Sequence, residues 1–248
     1  MHRRLFLNSL LAFVTAFVAT TVIHEMGHYL AYLAIGADPM LFHNRVEASG
    51  SGLSMGREVF AALAGPAISL LQGLALLPLA SRSKSTGPWA LVLVWMALMG
   101  FLNAFGYVMV TPMSRAGDTG AAAALLGVPG WIQWSLVPVA LLGLLGVALR
   151  SGPLFGRFSS SNKDVPFLVV LPIMLGGLIN AALAFPVTAA LSVIYPITSP
   201  YVLMAGYPRI LRALADHPSD CAERLSWGFL ATCAAAIILN RLLTAGAI

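Results

Sequence analysis

Five consecutive residues, His24-Glu25-Met26-Gly27-His28, have the types and the spacing of a metal-dependent hydrolase. Residues four positions apart lie on one face of an α-helix, so the imidazoles of His24 and His28 can bind the same metal ion. Glu25 then stands beside that ion, where its carboxylate can accept a proton from metal-bound water. The motif therefore predicts a zinc site with Glu25 as the catalytic residue. The alternative is that both histidines are structural and bind neighbouring backbone or hydroxyl groups.

A third metal ligand has to come from another part of the chain, because hydrolytic zinc sites usually have three protein ligands. Asp118 is the favoured one, since it opens a run of small residues and is flanked by glycines that allow close backbone approach. The same position also fits a helix N-cap, a role that would occupy the carboxylate. His43, Glu47 and Glu58, which follow the motif, are the alternative ligands.

The composition indicates that this motif belongs to a membrane protein. Only 9% of the residues are charged and 59% are hydrophobic, whereas an ordinary globular domain has about 25% charged residues. The mean hydropathy is +0.87. Because ionisable groups at membrane depth are unfavourable and usually functional, this setting favours the catalytic interpretation of the two histidines.

Six apolar segments each come close to or exceed the roughly 17–25 residues that a helix needs to cross a bilayer. Lipid offers no partner for unpaired backbone groups, so all six are predicted to be helical. The predicted fold is all-α, a polytopic transmembrane helical bundle of about six spans in a single domain over residues 1–248. We therefore expect a multi-pass integral membrane protein. The segments are Leu5–Leu33, Val59–Ala80, Trp89–Val110, Trp131–Leu149, Pro166–Val193 and Leu225–Leu243.

The segment after the first span, residues 37–58, is the most polar region before the chain enters lipid again. A short alternation over residues 41–46, followed by the Ser-Gly repeat of residues 49–52, predicts a short re-entrant loop or hairpin. A plain surface loop is the alternative. In the functional interpretation, an exposed strand edge pairs with an unwound substrate peptide.

The charge distribution favours a lipid bilayer over nucleic acid as the partner. The net charge is +5, but the 14 Lys and Arg residues are scattered at the ends of the spans and form no basic cluster. This pattern is typical of the positive residues that flank membrane spans on the cytoplasmic side and of residues that contact lipid headgroups. Cys221 and Cys233 lack the spacing of a thiolate metal site, so we interpret both as inert.

Three parts of the chain resemble the site-2 protease family of intramembrane zinc metalloproteases. The first is the His-Glu motif within a membrane helix, and the second is the Gly-Pro pair in Ala64–Ser69. The third is the order Asn103, Pro112 and Asp118, which is similar to that family's Asn…Pro…Asp-Gly element. The resemblance covers about residues 20–126. It implies zinc bound by His24, His28 and Asp118, with Glu25 as the catalytic carboxylate.

The expected function is that of a zinc metalloendopeptidase that hydrolyses a peptide bond in or near a transmembrane segment of a membrane protein. Two other functions remain open: a proteolytically inactive relative that binds membrane proteins, and a metal transporter or sensor. Transporters usually carry polar groups on several broken spans. In this chain the polar groups are concentrated near one span, which favours the enzyme.

Overall fold

A computed structural model describes residues 2–49, 52–187 and 190–246, and most of these residues are helical. The α-helices are α1 (His2–Ala34), α2 (Met55–Arg82), α3 (Pro88–Val110), α4 (Asp118–Leu125), α5 (Gly130–Gly156), α6 (Leu171–Leu183), α7 (Leu191–Thr198), α8 (Tyr207–Leu211), α9 (Asp220–Glu223) and α10 (Trp227–Leu242). A π-helical turn, Pro166–Val170, leads into α6, and 3₁₀ turns follow α7 and α10 at Ser199–Gly206 and Leu243–Ala245. The two short strands are β1 (Asp38–Leu41) and β2 (Val46–Ser49).

Six of the described helical segments are long and apolar enough to cross a membrane, which confirms the predicted all-α bundle of about six spans. They are α1, α2, α3, α5, α6 with its preceding π turn, and α10 with its following 3₁₀ turn. The predicted end of the fifth span at Val193 is wrong, since this span ends at Leu183. Pro186, which has no backbone N–H to donate, follows closely and disfavours a continuing helix.

The predicted hairpin after the first span is confirmed. α1 ends where Gly36 adopts a positive φ of 77°, a conformation that glycine adopts without steric strain at a helix C-terminus. β1 and β2 then pair as antiparallel strands, with Asp38 opposite Ser49 and Leu41 opposite Val46. The hairpin therefore lies directly after the helix that carries the histidine motif.

The interior of the bundle is built around α1 and α3. The ring of Trp95, fully buried on α3, meets Phe13 of α1 edge-on at 5.0 Å between ring centroids. Trp95 also packs against Phe155 of α5, with 4.6 Å between the ring centroids. α3 is the most buried of the six spans, whereas α5 and α10 are the least. His24, Glu25 and His28 of α1 are thus buried inside the bundle, away from the surface available to lipid.

Both cysteines are free and buried, Cys221 in α9 and Cys233 in α10. Burial raises the pKa of the Cys221 thiol to about 12, with a smaller contribution from the Asp220 carboxylate. At neutral pH this side chain is therefore a protonated thiol, which is neither a good nucleophile nor a good metal ligand.

Candidate metal centre

Three potential ligand atoms converge between α1 and the start of α4. Nε2 of His24 lies 2.8 Å from Oδ2 of Asp118, and Nε2 of His28 lies 3.2 Å from the same oxygen. The two Nε2 atoms are 3.1 Å apart. Both histidines are buried inside the helical bundle. Among the described residues, this is the cluster of His, Cys, Asp or Glu side chains whose geometry can hold a metal ion.

The other ring nitrogen of each histidine is held by α2, which orients the Nε2 atoms toward Asp118. Nδ1 of His28 donates to the backbone carbonyl of Ala61 at 2.7 Å. A carbonyl can only accept, so Nδ1 carries a proton, and Nε2 is the ring nitrogen that can bind a metal ion once its own proton has left. Nδ1 of His24 lies 3.0 Å from the hydroxyl of Ser69. Such hydrogen bonds are the usual way in which proteins orient metal-binding histidines.

The face of α2 that packs on the motif carries small residues at four-residue spacing: Ala61, Gly65 and Ser69, all buried. Gly65 makes the closest approach. A Cβ atom at this position would lie 2.2 Å from Nε2 of His28 and 2.7 Å from Nε2 of His24. The absence of a side chain at Gly65 therefore leaves the space in which the ligand atoms meet.

Gly27 of the motif allows the same close crossing from the side of α1. A Cβ atom there would lie 2.7 Å from a methyl carbon of Ile68 and 2.8 Å from the carbonyl oxygen of Ala64. Both contacts are shorter than any ordinary Cβ contact, so the backbones of α1 and α2 meet at glycines on both helices. This crossing brings the histidine rings onto the carbonyl and hydroxyl groups of α2.

Asp118 reaches the histidines because the start of α4 is fastened to the end of α3. The hydroxyl of Thr119 donates to the backbone carbonyl of Tyr107 at 2.8 Å and lies 2.7 Å from the hydroxyl of Thr111. Gly120 packs directly against the turn that connects α3 and α4, and a Cβ atom at this position would lie 2.0 Å from the carbonyl oxygen of Ser114. In the Asp-Thr-Gly sequence, Asp118 supplies a potential metal ligand, Thr119 holds the start of α4 against α3, and Gly120 allows the close approach of the connecting turn.

The alternative role of Asp118 as a helix N-cap is wrong. Gly117 occupies the N-cap position, and Asp118 is the first residue of α4. Burial alone would raise the pKa of the Asp118 carboxyl, but its hydrogen bonds with His24 and His28 outweigh this effect and hold the pKa well below its ordinary value. The carboxylate is therefore ionised at neutral pH, as a metal ligand must be.

The three alternative ligands lie away from this cluster. His43, in the hairpin turn, donates from Nε2 to the backbone carbonyl of Ala184 at 2.9 Å. Glu47 is exposed on β2 and pairs with Arg45 at 2.7 Å. Glu58 is half-buried in the first turn of α2. None of these three residues belongs to the cluster of potential metal ligands.

Glu25 lies on the wall of a cavity that also contains His24. The cavity comprises about 1030 Å³ of space, part of it open to the outside, and is bordered by α1, α3, α6, α7, α10 and the hairpin turn. Only 6% of the surface of Glu25 is exposed. A buried carboxylate next to two imidazoles, with access to a cavity, can take up and release protons at that cavity.

Two residues of the site were not predicted from the sequence in these roles. Ser69 holds His24 and also accepts a hydrogen bond from Nδ2 of Asn103 at 3.3 Å. The ring of Tyr107 stacks on His24 with centroids 5.0 Å apart and an angle of 5° between the planes. Tyr107 lies one helical turn after Asn103 on α3, and this spacing is the sequence signal that could have pointed to it.

Comparison of this chain with protein-family models, with curated proteins and with solved structures finds no match. The interpretation of the site therefore depends on its own geometry. Two imidazole nitrogens and one carboxylate oxygen, with the second nitrogen of each ring oriented by α2, fit a divalent metal ion.

Proposed function

We propose that this protein is an intramembrane zinc metalloprotease, similar to the site-2 protease family, that hydrolyses a peptide bond in or near a transmembrane segment of a membrane protein. The observation that supports this proposal is the convergence of His24, His28 and Asp118 inside a bundle of apolar helices, next to Glu25. Two histidines with one carboxylate form a ligand set found in hydrolytic zinc sites.

In this proposal His24, His28 and Asp118 hold the zinc ion. When bound, zinc supplies a Lewis acid that polarises a carbonyl group and lowers the pKa of water beside it. Glu25 accepts a proton from the attacking water while the water oxygen bonds to the scissile carbonyl carbon. As the C–N bond breaks, Glu25 returns that proton to the leaving amine, so its own protonation state is restored.

The substrate has to be locally unwound, because a helix surrounds its carbonyl carbons with side chains and hydrogen-bonded backbone. The hairpin offers one surface for such an extended segment. In the described part of the chain the sheet contains only β1 and β2, and residues 47–49 of β2 are exposed. An edge strand of this kind can pair with an added peptide strand, which would present its backbone near the cavity.

Purified full-length protein in lipid nanodiscs tests the proposal. We expect about one zinc ion per chain after dialysis, and cleavage of an apolar transmembrane peptide with a central Gly-Gly pair. Removal of zinc with a chelator should stop cleavage, and added zinc should restore it. Zinc that exchanges rapidly and crosses vesicle membranes would instead favour transport. Stable zinc without cleavage of any membrane protein would favour an inactive relative.

Gly65→Ala should disrupt the metal centre without altering a ligand. The added methyl group would lie 2.2 Å from Nε2 of His28, so a histidine ring has to move. Changes that misorient metal ligands typically lower affinity by about 10–100-fold, and we expect the upper end of that range. The measurement is zinc affinity by competition with a fluorescent chelator.

Gly56→Ala is the matched control for this change. Gly56 lies in the first turn of the same helix, and a Cβ atom there would contact nothing within 4 Å. Its zinc affinity should equal that of the unmodified protein. Equal affinities for Gly65→Ala and Gly56→Ala would contradict the proposed position of the metal.

A further inference from the structure

The cavity beside the metal centre has a second polar surface, to which none of the metal-binding residues contributes. Asn180 of α6 and Asn240 of α10 line it together with His43 and Asn44 of the hairpin turn. Asn180 is 3% exposed and Asn240 is 4% exposed, so both side chains are almost completely buried. We name these four residues the polar wall.

The polar wall carries hydrogen-bonding atoms that the protein itself does not use. Both amide atoms of Asn180 and Oδ1 of Asn240 lack a hydrogen-bond partner among the described residues. Asn44 donates from Nδ2 to the carbonyl of Ala184, but its Oδ1 is likewise unused in this part of the chain. Buried polar atoms in native proteins are nearly always paired, so several unpaired ones beside one cavity indicate a ligand.

His43 adds another acceptor to this wall. Because its Nε2 donates to the carbonyl of Ala184, the neutral ring has no proton on Nδ1, which has no partner among the described residues. Burial lowers the pKa of His43. The hydrogen bond to the carbonyl of Ala184 raises this pKa, but the positive charges of Arg241 and Arg45 lower it further, and the net shift is downward. His43 is therefore neutral at pH 7 and can accept a hydrogen bond.

The polar wall thus offers four acceptors, Oδ1 of Asn44, Asn180 and Asn240 with Nδ1 of His43, and one donor, Nδ2 of Asn180. Among the described residues that line the cavity there is no Lys or Arg, so the wall does not favour an anion. An uncharged ligand rich in N–H groups fits best. A peptide backbone has this chemistry, because it is uncharged and each residue other than proline carries one N–H donor. Each trans peptide unit also directs its N–H and C=O to opposite sides, so the N–H can face the wall while the C=O faces away from it.

We infer that the polar wall, chiefly through Asn180 and Asn240, binds backbone N–H groups of the unwound substrate segment. This inference rests on the proposed proteolytic function and extends it to the recognition of the substrate. A segment whose carbonyl oxygen turns toward the metal centre presents its neighbouring N–H groups to other sides of the cavity. The wall would hold the segment in its extended form, since those N–H groups are paired within the helix before unwinding.

Equilibrium binding to the full-length, zinc-loaded Glu25→Gln variant in nanodiscs tests this inference. The probe is a fluorescent 22-residue Leu/Ala peptide with a central Gly-Gly pair. A second peptide has its two central amides replaced by esters, which removes the N–H groups and keeps the carbonyls. Two lost hydrogen bonds should weaken binding by about tenfold. With Asn180→Leu and Asn240→Leu added to the protein, the amide peptide should bind about tenfold more weakly, and the ester replacement should have no further effect.

Thermal stability distinguishes a binding role from a structural one. Asn180→Leu removes no hydrogen bond within the described part of the protein, so its melting temperature should be unchanged or higher. Asn8→Leu is the control, because Nδ2 of Asn8 donates to the carbonyls of Cys221 and Arg224, at 2.8 Å each. It should lower the melting temperature and leave the effect of the ester intact. A lower melting temperature for Asn180→Leu would overturn the inference.

The remaining outcomes separate this inference from the proposed function. If the amide peptide does not bind, or if the ester weakens binding equally in the variant with both Asn→Leu changes, the polar wall does not bind substrate backbone. The second result is also expected if the wall only holds water. Because the assay uses a variant without the catalytic carboxylate, it does not depend on cleavage. Absence of cleavage by the unmodified protein would contradict the protease and leave the binding result unchanged.

Discussion

Glu25→Gln should lower the rate of peptide cleavage by about 10²–10⁴-fold, the range expected when a general acid–base group is removed. The amide keeps the size of the side chain but cannot accept the proton of the attacking water. His24, His28 and Asp118 are unchanged, so zinc should remain bound at the same stoichiometry. Cleavage of the transmembrane peptide and zinc content are measured on the same preparation.

Glu58→Gln is the control for this prediction. Glu58 is half-buried in the first turn of α2 and lies outside the metal cluster. Its variant should cleave the peptide at the rate of the unmodified protein. Normal cleavage by Glu25→Gln would remove Glu25 from the reaction, and loss of zinc together with activity would indicate that Glu25 has a structural role.

Asp118→Ala should lose the metal. The variant leaves two imidazole ligands in the cluster, and we expect at least a ~100-fold lower zinc affinity, by analogy with the loss of groups that orient zinc ligands. Zinc that binds only the folded protein raises its free energy of unfolding by RT ln(1 + [Zn]/Kd). A zinc concentration 100-fold above Kd therefore adds about 2.7 kcal/mol. Thermal unfolding with and without zinc should show this stabilisation in the unmodified protein and not in the variant.

Two further substitutions at the same position separate a ligand from a helix-capping residue. Serine is a good N-cap but a poor zinc ligand, so Asp118→Ser should behave like Asp118→Ala. Histidine binds zinc, so Asp118→His should retain part of the zinc. Asp38→Ala, at an exposed carboxylate of β1, is the control and should bind zinc normally. Full zinc binding by Asp118→Ser would contradict the assignment of Asp118 as a ligand.

The sequence predicted most of the architecture because membrane-spanning helices are encoded locally. A span needs a sufficient length of apolar residues, and this condition holds within each segment regardless of its neighbours. The end of the fifth span at Leu183 was missed. Apolar composition continues to Val193, so the hydropathy of the segment did not reveal the break near Pro186.

The third member of the cluster needed information that no local pattern contains. Asp118 was favoured over three acidic or imidazole side chains, although 94 residues separate it from His24. The fastening of Thr119 to the carbonyl of Tyr107 and the close approach at Gly120 place its carboxylate. The N-cap alternative was wrong because the extended backbone of Gly117 already occupies that position.

The pairing of His24 with His28 follows from the sequence alone, since a helix of 3.6 residues per turn places positions four apart on one face. The partners of their Nδ1 atoms, Ser69 and the carbonyl of Ala61, depend on how α2 crosses α1. The polar wall likewise forms only when α6, α10 and the hairpin turn border one cavity. Helical periodicity acts within a segment, whereas contacts between segments depend on the packing of side chains across helices, and this packing exists only in the folded chain.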